Sequence, residues 1–118
     1  MEINEAILAF SQSEKMKAGT IWISQALNLL QGLHDAEKKG GEKIINTLLN
    51  MIAHEIKLAK TVARNNGWDD IEPHIERALV MINSGVGEEA TVHLSKALSR
   101  ITNVGQRSMS FLKEKGLL

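Results

Sequence analysis

The chain has no cysteine and no tyrosine, a single proline (Pro73), and only Phe10, Trp22, Trp68 and Phe111 as aromatics. Without thiols, disulfides and thiolate metal sites are excluded, and a reducing compartment fits. So few rings argue against a stacking platform for nucleic-acid bases. An excess of one charge is missing too: 14 Lys plus Arg balance 14 Asp plus Glu. Phosphate neutralisation supplies much of a nucleic-acid binder's affinity, so a balanced chain argues against nucleic acid as partner. No apolar run approaches the ~20 residues needed to span a bilayer. Met1-Glu2-Ile3-Asn4-Glu5 carries acid where a signal peptide carries Lys or Arg. The expected location is cytoplasmic, with no membrane contact.

Catalytic signatures are equally scarce. There is no Gly-x-Ser-x-Gly elbow, no phosphate-binding Gly-x-x-x-x-Gly-Lys loop and no dinucleotide fingerprint. The histidines His34, His54, His74 and His93 invite a metal reading, since Asp70 with His74 and Glu89 with His93 are i,i+4 carboxylate–imidazole pairs. The Glu-x-x-His spacing of di-iron bundles is missing, however, and zinc needs three or more converging ligands. The expectation is therefore a non-enzymatic chain with no metal and no cofactor.

What is present is helical periodicity, with no strand-like alternation. Residues 1–118 fit one domain, expected as an all-α antiparallel bundle of about four helices. The clusters Lys39-Gly40-Gly41, Asn65-Asn66-Gly67 and Asn83-Ser84-Gly85 look like helix stops. Between them, Ile45, Leu48, Leu49, Ile52, Ile56, Ala59 and Ala63 form one stripe of a helix over 42–64. Ile44, Met51, Leu58 and Val62 widen that stripe, which suits a central helix covered from two sides. A third helix is expected behind Asp69 as N-cap, with Glu72 completing a capping box, Pro73 in the first turn and Trp68 as staple. A fourth is expected over 87–115, with Ala90, Leu94, Leu98, Ile101, Gly105, Ser108 and Leu112 as its stripe.

The first segment is ambiguous. Ile3, Ile7 and Phe10 make one stripe, while Met16, Ile23, Leu27, Leu30 and Leu33 make another, out of phase across 11–20. Either one long helix bends there or two helices meet.

At 1.5 Å per residue these lengths are unequal: roughly 35 Å for the second helix, 21 Å for the third and 43 Å for the fourth. The fourth helix and the start of the first should overshoot the junction between the second and third. Their apolar stripes, Ile3, Ile7 and Phe10 with Ile101, Val104, Gly105, Ser108 and Leu112, then lack an internal cover. Uncovered apolar surface points to a partner, either a second copy as a homodimer or another helical protein. The expected function is interaction or assembly through that face. Charge is segregated as well: residues 68–90 carry six acids against Arg77, whereas 91–118 carry five bases against Glu114.

One short string points elsewhere. Ala53-His54-Glu55-Ile56-Lys57 resembles the phosphoacceptor segment of histidine kinases and, more loosely, histidine phosphotransfer domains, which are small helical bundles. The resemblance implies a solvent-facing His54 attacking a phosphoryl group, with Glu55 orienting it and Lys57 beside it. It covers five residues. Leu58-Ala59 stands where kinases usually continue with a polar residue and proline, and Leu58 stands where phosphotransfer domains usually place glycine directly after the lysine.

Overall fold

The computed structural model describes residues 1–64 and 67–118. Its helices are α1 Ile3–Leu30, α2 Asp35–Val62, α3 Trp68–Asn83 and α4 Gly87–Glu114, and no strand occurs among the described residues. Neighbours in space are α1 with α2, α2 with α3, α3 with α4, and α4 with α1. The four helices thus close a ring around one core, as an antiparallel bundle does.

The core is written in alternating steps of three and four. In α1 the buried residues are Ala6, Ala9, Ser13, Met16, Thr20, Ile23, Leu27 and Leu30. In α2 they run Ile45, Leu49, Ile52, Ile56 and Ala59, continuing to Ala63, and in α3 Trp68, Ile71, Ile75, Ala78 and Ile82. In α4 the series Gly87, Ala90, Leu94, Ala97, Ile101, Val104 and Ser108 keeps the same step. A seven-residue repeat held in every helix is the signature of shallow, coiled-coil-like packing.

Helix α1 is continuous through 11–20, so the first segment is one long helix and not two that meet there. The phase shift has a packing origin. The N-terminal half of the seam is built from Ala6, Ala9, Ser13 and Thr20, whereas Ile3 and Ile7 lie outside it. Small residues bring α1 against α4: a Cβ placed on Gly105 would lie 2.7 Å from Ser13 Oγ. The Ser13 hydroxyl donates to the Phe10 carbonyl at 2.8 Å and that of Ser108 to Val104 at 2.9 Å, so both fold back on their own helices.

Helix α2 starts at Asp35, not at residue 42, and Gly40-Gly41 lies inside it rather than ending α1. Asp35 and Glu37 in the first turn suit the positive end of the helix dipole. Gly41 is there for packing, because a Cβ on it would run into Leu30. Helix α3 likewise begins early, by two residues. Gly67, at φ +82°, is the N-cap, and Asp69 is already helical. Trp68 is buried in the core and its indole N–H donates to the Ala63 carbonyl at 2.7 Å. Asp69 and Glu72 do not cap; both hold Lys60 of α2, at 2.8 and 2.7 Å. Asn65 and Asn66 lie outside the described residues. The stop at Asn83-Ser84-Gly85 is as expected, with Gly85 at φ +78°.

Helices α1, α2 and α4 have 28 residues each and α3 only 16. Gly67 sits beside Val104 and Arg107, so α4 runs on past the start of α3 by about 10 Å. The molecule measures 52 × 21 × 18 Å. The expected overshoot is therefore real.

Candidate interaction surfaces

The overshooting ends meet each other. Ala6 and Ala9 on α1 and Ser108 and Leu112 on α4 are all buried there. Ile101, Val104 and Gly105, expected on an exposed face, are buried in the same seam. Of the eight residues expected to form an interface, only Ile3 and Ile7 are exposed and Phe10 half-buried. The two extensions cover one another through small residues, which large-residue stripes did not reveal.

The exposed apolar surface lies instead along the outside of α1 and α2. Seven-residue steps through Leu8, Lys15, Trp22 and Leu29 mark one edge, and Ile44, Met51 and Leu58 mark the other. Trp22 is 70% exposed, Leu29 72%, Ile44 64% and Met51 57%. Leaving Trp22 and Leu29 in water forgoes roughly 1.5–3 kcal/mol each, the usual gain from burying a large apolar side chain. Helix α2 was expected to be covered on its Ile44–Met51–Leu58 flank; that flank is bare. On α3 and α4 the exposed large apolar residues are only Val80 and Val92, among the described residues.

Between the two edges runs a groove of about 470 Å³, with Met16, Ile23 and Ile52 in its floor and Trp22, Leu48 and Met51 on its walls. Gly19 keeps the helices close: a Cβ there would lie 2.9 Å from Ile52 Cδ1. One polar station interrupts the apolar lining. Glu55 accepts from Gln12 Nε2 and from Lys15 Nζ, both at 3.0 Å. Those two donors, Gln12 first, hold the Glu55 carboxyl below its ordinary range. Lys15 and Glu55 thus cancel within the chain, and the groove presents no net charge.

His54 is exposed, as the resemblance to phosphoacceptor segments implies, and so is Lys57. Both Glu55 carboxylate oxygens accept from α1 side chains, Oε2 from Gln12 and Oε1 from Lys15. His34 is the N-cap residue of α2, making no side-chain cap bond. His74 and His93 are half-buried on α3 and α4, each with a buried Nδ1 that has no hydrogen-bond partner among the described residues. No group of three His, Asp or Glu side chains there could hold a metal ion. No described helix is long and apolar enough to cross a membrane.

The bare face was legible only as a seven-residue repeat displaced from the core repeat, a signal hidden because Lys15 interrupts it and Trp22 fits neither stripe of α1. Set beside known proteins, the chain matches no protein-family model, no curated protein and no solved structure, so the geometry of its surfaces is what bears on its role.

Proposed function

We propose that this chain is a non-enzymatic interaction module that self-associates in the cytoplasm, the α1/α2 face of one copy covering the same face of a second. The observation that carries this reading is the row of Trp22, Leu29, Ile44 and Met51, each more than half exposed beside an apolar groove. Three features favour a second copy as the occupant. The face repeats every seven residues, the period of the chain's own coiled-coil-like helices, so ridges and grooves of two copies match in pitch. Its single ion pair is closed internally, so two identical faces meet without like-charge repulsion. A two-fold axis also lets one surface serve both partners, which is the commonest soluble assembly.

Light scattering behind size-exclusion chromatography tests it. The expected mass is twice 13.0 kDa, returning to one chain in Trp22→Glu and in Met51→Glu with helical circular dichroism unchanged. Both side chains are largely solvent-facing, so the fold has no need of them. A wild-type monomer at high micromolar concentration, or a dimer that both variants leave intact, would sink the proposal.

A further inference from the structure

The face opposite the apolar groove has a different chemistry. A cleft of about 750 Å³ lies between α3 and α4, within the size range of small-ligand sites. Arg77 from α3 and Arg100 and Arg107 from α4 line it, with Asn103 between the latter two. Its floor at Gly67 is bare backbone, where a Cβ would lie 2.9 Å from Arg107 Nη2.

The charge balance in this cleft is uneven. Two acids, Asp69 and Asp70, also line it. Asp69 reaches towards α2, where it shares Lys60 at 2.8 Å with Glu72, and Asp70 lines the cleft together with Arg77 and Arg100. His74 sits among them and is held below the ordinary imidazole range, by desolvation first and then by Arg77, Arg100, Lys96 and His93. Its buried Nδ1 has no hydrogen-bond partner among the described residues.

We propose that the α3/α4 cleft binds a compact, multiply charged anion of the phosphate class, gripped by Arg77 and Arg100, with His74 as a hydrogen-bond donor. Guanidinium forks from two helices match tetrahedral oxyanions bidentately, and an imidazole supplies a further N–H. The polar walls do not suit an apolar ligand.

Calorimetry with inorganic pyrophosphate at low ionic strength, paired with NMR of the histidine ring protons, tests this. Expected is saturable binding of one pyrophosphate per chain, with the titration of His74 moving upward as the anion offsets the surrounding cations. The double variant Arg77→Gln/Arg100→Gln should weaken binding at least about tenfold, the scale of one lost charge-assisted hydrogen bond. Arg100→Lys, which keeps the charge and loses the fork, should fall between. Lys113→Gln/Lys115→Gln, on the far end of α4, should bind like wild type. No saturable binding, equal weakening by the Lys113/Lys115 variant, or an oligonucleotide or acidic peptide binding where pyrophosphate does not, would each overturn the assignment.

Discussion

At the scale of single residues, the seam between α1 and α4 turns on Gly105 and Ser13. Glycine within a helix costs about 1 kcal/mol against alanine, so its presence here needs a packing reason. The 2.7 Å approach of a Cβ at 105 to Ser13 Oγ supplies one. Gly105→Ala should therefore lower stability by about 1 kcal/mol, overpacking of about 2 kcal/mol exceeding the gain in helix propensity. In a Ser13→Ala background the hydroxyl is gone and the remaining Cβ lies at an ordinary 3.5 Å. There the same Gly105→Ala change should stabilise. Urea unfolding of the four proteins in this double-mutant cycle reads the reversal of sign directly. Additive, uniformly destabilising effects would mean that the seam is not limited by this contact. The seam also explains what was hidden in the sequence. Ile3, Ile7 and Phe10 are the conspicuous residues, yet Ala6, Ala9 and Ser13 carry the packing, because close backbone approach selects small side chains that a search for large apolar residues passes over.

At the scale of elements, the legible parts were those with strong punctuation. The stop at Asn83-Ser84-Gly85 and the span of α4 follow from a left-handed glycine and an unbroken stripe. The start of α2 was not legible, since Gly40-Gly41 has the composition of a stop but serves as a landing for Leu30. The entry to α3 was read as a capping box, whereas its acids reach across to Lys60 and tie α2 to α3. Two carboxylates, Asp69 first and then Glu72, push the Lys60 ammonium up to about 12 from an ordinary 10.5. A raised folded-state value means the tie is fully present below pH 10.5 and is lost as pH rises through 12. The melting temperature of wild type should therefore exceed that of Lys60→Met at neutral pH and converge with it across that window. The Glu55 station between α1 and α2 has the opposite sign. Its lowered value makes its contribution present above pH 4.5 and lost as pH falls through the folded-state value. A Glu55→Gln variant should thus lose its deficit against wild type in acid, whereas a deficit that persists there would show that shape rather than charge is responsible.

At the scale of the whole molecule, the ring order sets the α1/α2 edge opposite the α3/α4 edge. One edge is apolar and carries an internally neutralised ion pair; the other is concave and lined by arginines and aspartates. If both proposals hold, a dimer formed through the first edge would present its two anion clefts outward, on opposite sides of the assembly.

The shortness of α3 sets a further property of the whole. Near residues 3–9 and 108–114 the bundle is reduced to two helices, held by small side chains with little apolar area to lose. Opening that end breaks few contacts, while the backbone amides it frees regain entropy and water. Amide hydrogen exchange should accordingly divide the chain in two, with the tip exchanging through local fraying and the Leu49, Ile56, Ile75 and Leu94 amides exchanging only on global unfolding. A molecule that looks like one cooperative bundle would then behave as a stable base carrying a breathing tip.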